Sequence, residues 1–340
     1  MRLAAIGLDI AENVFQVHGA DDCGRTVVQR RLRRAQVLQF FAELEPCLVG
    51  IEACATSHHW ARELSALGHD VRLLPPQYVK PFVKRNKTDA ADAEAICEAV
   101  TRPTMRFVPI KTKDQQALIM LHRSRDLLIR QRTNIAMALR GHLAELGLVA
   151  PKGMANTPQL IALMQSAGGI PELIREVAEI LYQQLLDLDA RIQVLESRIL
   201  KWHRSSEVSR RLAEVPGIGP IIATAMIARV GDPHAFKSGR QFSAWLGLVP
   251  RQHSSGGKER LCGISKRGNP YLRRLLVVGT RSTMRWSRAR PATANPWVLK
   301  LMGSKPSNVA AVAVANKTAR IVWALMASGE KYKARVPMSA

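Results

Sequence analysis

The chain of 340 residues carries 50 Lys and Arg against 27 Asp and Glu, a formal net charge of +23, with 47% hydrophobic and 23% charged residues. This balance excludes wholesale disorder and leaves room for two or three folded domains. So large a charge opposes compaction by self-repulsion, so a polyanion is the expected partner, nucleic acid first and an acidic membrane surface second. The cysteines Cys23, Cys47, Cys54, Cys97 and Cys262 form no CxxC pair, which points to free thiols, a cytoplasmic protein and no zinc finger. Asp9 and Glu12 interrupt the N-terminal segment too early for a secretory signal. The most apolar late stretch, 309–328, holds Asn316, Lys317 and Arg320 in its middle, so no membrane span is expected.

In chain order, residues 4–10 form an apolar run ending at Asp9, 13–20 alternate, and 25–32 make a third strand after the Asp-Asp-Cys-Gly turn at 21–24. A helix over 35–44 follows, then a buried strand over 47–52 closed by Glu52, a helix over 57–67, and a strand over 70–74 stopped by Pro75 and Pro76. Three strands in a meander, then helix, strand, helix, strand, is the order of an α/β RNase H-like domain. From Asp89 the pattern is helical, with helices over 89–100 and 113–146 and a Pro- and Gly-rich break over 147–170. Beyond Pro171, Leu181, Leu185, Leu188, Ile192, Leu195 and Ile199 step by 4, 3, 4, 3 and 4. This heptad seam predicts either an amphipathic helix packed on its own domain or a coiled-coil arm pairing helices within or between subunits.

Four carboxylates stand out. Asp9 and Glu52 end apolar strands, where a buried unpaired carboxylate is costly as mere structure. Asp89 and Asp92 share one helical face in a first turn, although Asp89 alone also suits a cap. Neighbouring first and fourth strands would bring all four together, and one or two Mg²⁺ would relieve their repulsion and grip a phosphodiester. Glu12 and Glu94 read as solvated; Lys84, Arg85 and Lys87 suit a phosphate-facing loop.

Farther on, Gly217 and Gly219 in Val215-Pro-Gly-Ile-Gly-Pro220 suit either a helix-hairpin-helix turn on a phosphate or a plain interhelical turn. Residues 251–290 hold a single acidic residue, Glu259, among many cations. Arg251, Lys258 and Arg260 surround the hydroxyls of Ser254 and Ser255 and the imidazole of His253, and Lys266, Arg267, Arg273 and Arg274 open a basic helix suited to a nucleic-acid backbone.

Together these motifs resemble the DEDD-type insertion-sequence transposases, insertion sequence 110 family, most like the 1111 subgroup. The resemblance rests on Ile6-Gly-Leu-Asp9, Ile51-Glu-Ala53, Arg85-Asn-Lys-Thr-Asp-Ala-Ala-Asp-Ala93, Val215-Pro-Gly-Ile-Gly219, Leu248-Val-Pro-Arg-Gln-His-Ser-Ser-Gly-Gly-Lys258 and Ile264-Ser-Lys-Arg-Gly-Asn269. It implies a RuvC-like nuclease domain over 1–150, a coiled-coil helix over 171–204 and a mainly α transposase domain over 205–340. It further implies that Asp9, Glu52, Asp89 and Asp92 are the metal ligands and that a serine in the C-terminal loop is catalytic. That role is carried to Ser255, which precedes the Gly-Gly step; Ser254 is its rival by one register. The expected function is Mg²⁺-dependent, site-specific recombination of donor and target DNA by a homo-oligomer guided by a bridge RNA. The competing readings are a RuvC-like endonuclease using water as nucleophile and a non-catalytic nucleic-acid-binding protein.

Overall fold

A computed structural model of the chain describes residues 3–84 and 88–333; Arg85 and Lys87 lie outside the described residues. The chain divides after Thr112 into two compact units. In the first, β1 (Ala5–Ile10), β2 (Val14–Ala20) and β3 (Thr26–Arg33) form an antiparallel meander, followed by α1 (Val37–Ala42), β4 (Leu48–Glu52), α2 (Ser57–Ala66) and β5 (Asp70–Leu74). A short α3 (Pro76–Val79) precedes α4 (Asp89–Val100). The sheet order is β3-β2-β1-β4-β5, with β4 parallel to both neighbours. Parallel pairs need crossovers, which α1 and α2 supply.

Alternation gives the sheet two faces. Ile6, Leu8, Phe15, Val17, Val49 and Ile51 enter one core with Val37, Phe41, Trp60 and Leu64 from α1 and α2. The other face is covered by α4, whose Ala95, Ile96, Ala99 and Val100 pack beside Ala5, Ala20 and Leu74. Small residues let the helix lie flat: a Cβ on Gly7 would overlap the Ala93 carbonyl, and one on Gly50 would press on Val100 and Ile96.

The second unit contains α5 (Lys113–Ala144), α6 (Thr157–Ser166), α7 (Glu172–Ser205), α8 (Glu207–Leu212), α9 (Pro220–Val230) and α10 (Gly239–Trp245). A two-stranded ribbon of β6 (Pro250–Gln252) and β7 (Leu261–Ile264) follows, then α11 (Pro270–Ala289), α12 (Pro296–Ser304) and α13 (Ser307–Ser328). The break expected over 147–170 holds a helix, α6, because Leu160, Ile161 and Met164 share an apolar face that buries against residues of α5 and α7.

Two expectations change. The compact boundary falls at 112 and not 150, because α5 packs with the helical unit: Leu118 and Ile119 meet Ala228 of α9, and Leu139 and Leu143 share a core with Ala178 and Leu185 of α7. The heptad seam is filled within the chain. Leu185, Leu188, Ile192 and Ile199 are buried as α7 runs antiparallel to α5. Arg125 binds Glu196 at 2.6 Å and Arg132 pairs with Asp189 along that contact. The seam therefore has its partner in this chain and is not left open for a second subunit.

Among the described residues α13 alone has the length and apolarity to cross a membrane. Its Ala315, Ala319, Val322 and Leu325 sit in the core of this unit with Phe242, Leu246, Leu272 and Leu276. Asn316 on the same helix binds the Leu248 carbonyl at 3.2 Å. This is the pattern of a core helix.

Candidate active site and nucleic-acid interface

The carboxylates are positioned by the sheet and by one helix end. The parallel ladder between β1 and β4 pairs Gly7 with Gly50 and Leu8 with Ile51. One residue farther on, Asp9 and Glu52 leave the two strands side by side, on the face that carries Gly7, Gly50 and α4. Thr88 caps α4, its side chain accepting from the Ala91 amide at 3.2 Å, so Asp89 is the first helical residue and not the cap. Asp89 and Asp92 thus occupy the first turn, where the helix dipole favours anions.

The electrostatics record the convergence. The Asp9 carboxyl is pushed up to about 6, first by burial and then by the charges of Asp92, Asp89 and Glu52. Such an array is unfavourable unless a cation relieves it. Its donors are all carboxylate oxygens, the set that suits a hard divalent ion such as Mg²⁺. Among the described residues no three His, Cys, Asp or Glu side chains are already gathered in ligating geometry. The set therefore fits a cation that draws the side chains in when it binds.

The surroundings differ in part from expectation. Glu94 is not merely solvated: it binds Lys84 at 2.6 Å, which lowers its pKa and takes that lysine out of a phosphate-facing role. Cys54 feels the charges of Glu52 and Asp9, and burial raises its thiol pKa. Thr56 caps α2 at φ 68°, an uncommon conformation for a β-branched residue, four positions after Glu52.

The serine motif forms the exposed tip of the β6–β7 ribbon. Gly256 and Gly257 both have positive φ, as tight primed hairpin turns require, and the Lys258 amide donates to the Ser255 carbonyl at 3.1 Å. The two serines are not equivalent. The Ser254 hydroxyl accepts from the Gln252 side chain at 3.0 Å and the Arg260 amide at 3.3 Å, so it helps to hold the ribbon together. Ser255 sits at the turn, exposed, between Arg251, Lys258 and Arg260. At the ribbon's base, Gly247 and Gly268, both at positive φ, sit where a Cβ would overlap the Arg267 and Trp245 carbonyls.

Other cations divide by role. Lys266 and Arg267 lie in the loop before α11 and do not open it, since Asn269 caps that helix. Arg273 donates to the Leu246 and Arg267 carbonyls at 3.1 and 3.2 Å, which ties down the ribbon base. Arg274 pairs with Asp126 and lies over the Tyr271 ring. These two guanidiniums are engaged within the protein. Gly217, at φ 86°, lies against Gly279 of α11, so its missing side chain serves helix packing, whereas Gly219 at the start of α9 has open space before it.

Comparison with known proteins decides the family. Residues 6–147 match a family profile described as "Transposase" of the DEDD IS110 type, and residues 209–295 match "Transposase IS116/IS110/IS902 family". A "Probable family 20 transposase" of Pseudomonas aeruginosa is 49% identical, covering 98% of this chain and 99% of its own. The chain belongs to the IS110 family of insertion-sequence transposases. The "Transposase for insertion sequence element IS1328" of Yersinia enterocolitica is 42% identical over 95% of this chain and 97% of its own. The "Transposase for insertion sequence element IS1111A" of Coxiella burnetii is 41% identical over 96% and 91%. This transposase is therefore an enzyme that cleaves and recombines DNA. Sequence reasoning anticipated the carboxylates and the serine ribbon but missed the Lys84–Glu94 pair and the arginines of β3. Alternation counted outward from Asp9 through the β1–β2 hairpin was the available signal for the latter.

Proposed function

We propose that this IS110-family transposase carries out Mg²⁺-dependent, site-specific strand exchange between donor and target DNA, with Asp9, Glu52, Asp89 and Asp92 as metal ligands on a RuvC-like sheet and Ser255 as nucleophile. The observation that carries the reading is the raised pKa of Asp9 under the combined charge of the other three carboxylates. Bound there, a divalent cation supplies Lewis-acid polarisation of the phosphodiester.

The chain's own groups do the rest. The Ser255 oxygen attacks phosphorus, a P–O ester bond of the strand breaks, and the departing strand oxygen leaves as a free hydroxyl. The serine proton passes to a base, the role assigned to His253. A phosphoserine ester retains the bond energy of the cut strand, so a hydroxyl of the partner strand can displace Ser255 and reseal the DNA without an external energy source. The bonded Ser254 hydroxyl and the unencumbered Ser255 favour this register. Arg251, Lys258 and Arg260, exposed beside it, would hold the phosphates.

The charge of +23 and the resemblance extend the reading to a structured guide RNA as a second polyanionic partner and to a homo-oligomer as the working form. The test is an excision and rejoining assay in cells carrying the intact element. Asp9→Ala and Ser255→Ala should each abolish junction formation while nucleic-acid binding persists. Normal recombination by Ser255→Ala and by the Ser254, Ser255 double alanine variant would remove the serine step in favour of water.

A further inference from the structure

The sheet places a second set of charges level with the carboxylates. β1 pairs Asp9 with Gln16 of β2, and β2 pairs Gln16 with Arg31 of β3. Directly paired residues point to the same face of a sheet. Glu52, Asp9, Gln16 and Arg31 therefore form one row across four strands on the α4 face. The adjacent row toward the β1–β2 turn ends in Arg33, which pairs with Val14. Strands lie about 4.8 Å apart, so the Arg31 backbone is roughly 10 Å from that of Asp9, within the reach of a long side chain and about one or two nucleotides along a strand.

Neither Arg31 nor Arg33 forms an ion pair among the described residues, and both are exposed on the edge strand of the sheet. Charge on an edge strand also protects against edge-to-edge aggregation, and that role is indifferent to which face the charge occupies. Arg30 provides the contrast. It is equally exposed on the same strand, but alternation turns it to the opposite face, that of buried Leu32. We propose that Arg31 and Arg33 form a phosphate clamp that lays the nucleic-acid strand across β2 and sets the reacting phosphodiester over Asp9 and Glu52. They are positioning residues for strand cleavage. Planar guanidiniums suit the task, because each can hold two phosphate oxygens at once. Gln16, half-buried between the two ends of the row, adds a neutral donor under the strand.

This inference rests on the carboxylate reading of the proposed function, and its test separates the two. Transposase purified from cells carrying its intact element would be assayed on a fluorescein-labelled duplex that spans the element's own end and its flank. In metal-free buffer, Arg31→Ala and Arg33→Ala should each reduce the slope of log K against log salt by about one, and Arg30→Ala should leave it unchanged. With Mg²⁺ added, kcat/KM for cleavage should fall at least about tenfold in Arg31→Ala, with partial recovery in Arg31→Lys, which keeps the charge but not the fork. Asp9→Ala should abolish cleavage and keep the wild-type salt slope. If Asp9→Ala is inactive while Arg31→Ala and Arg33→Ala behave as Arg30→Ala does, the clamp is wrong and the carboxylate reading stands. If Asp9→Ala still cleaves, the carboxylate reading fails and takes the clamp with it.

Discussion

Gly7 and Gly50 are direct partners in the parallel ladder between β1 and β4, and α4 lies so close over both that neither has room for a Cβ. The pair sets where the carboxylates go. Two residues farther along each strand stand Asp9 and Glu52, and the same approach brings the N-terminal end of α4, with Asp89 and Asp92, down to the strand ends. Gly7→Ala would force the helix off the sheet at the Ala93 carbonyl. Such overpacking against backbone should cost about 3 kcal/mol. A urea titration should show the lowered midpoint, and DNA cleavage should fall further than stability alone explains because the ligands no longer converge.

Asp9 should make the metal-free protein less stable at neutral pH. Its folded pKa, about 6, lies above the ordinary value of 3.8. Between these values the folded state binds more protons than the unfolded state, so stability declines as pH rises through that window and stays reduced above it. Asp9→Asn should therefore stabilise the metal-free protein at about pH 7.5 by ~1–2 kcal/mol, a figure discounted for screening at a half-exposed group. It should give no gain near about pH 4. Mg²⁺ should raise the thermal midpoint of the wild type at neutral pH and leave that of Asp9→Asn nearly unmoved. Equal effects of the substitution at both pH values would contradict the converging carboxylates.

His122 should make the helical unit acid-sensitive. Its Nε2 lies 3.0 Å from the Thr224 hydroxyl and its Nδ1 lies 3.0 Å from the Tyr271 hydroxyl. Thr224 donates to the Pro220 carbonyl at 2.8 Å. It therefore accepts from His122, which leaves Nδ1 to accept from Tyr271. Burial, with Arg125 and Arg229 nearby, pushes the imidazole down to about 4. The unfolded chain takes up the proton first, so stability should be lost as pH falls from about 6.5 to about 4, by up to ~3 kcal/mol. Unfolding midpoints across that range should show the loss in the wild type, and His122→Asn should be less stable at neutral pH but flatter.

Much of this architecture is legible in the residues. Strands ending in Asp9 and Glu52 announce themselves by apolar runs closed by a carboxylate, and the Thr88–Asp92 helix start reads as a cap with an acidic first turn. The tip of the serine ribbon follows from Gly256 and Gly257, which only a tight turn explains. What the sequence hides is partner choice. The heptad through Leu188 specifies a buried seam but not that α5 of the same chain fills it. Arg273 and Arg274 look like phosphate ligands until Leu246, Arg267 and Asp126 are seen beside them. Gly217 suits a phosphate-binding turn by type, yet its space is taken by Gly279. These outcomes depend on contacts between segments far apart in the chain, to which local periodicity is blind.

The most direct test of the account is a search for a covalent protein–DNA intermediate. Transposase from cells carrying its intact element would be incubated with Mg²⁺ and an end-labelled duplex of the element's terminus, denatured, and resolved by size, with the linked residue identified by peptide mass analysis. The account predicts a phosphoserine-linked adduct at Ser255, absent from Ser255→Ala and Asp9→Ala and retained in Ser254→Ala. Free cleaved ends with no adduct in the wild type, and undiminished cleavage by Ser255→Ala, would contradict it and leave water as the nucleophile.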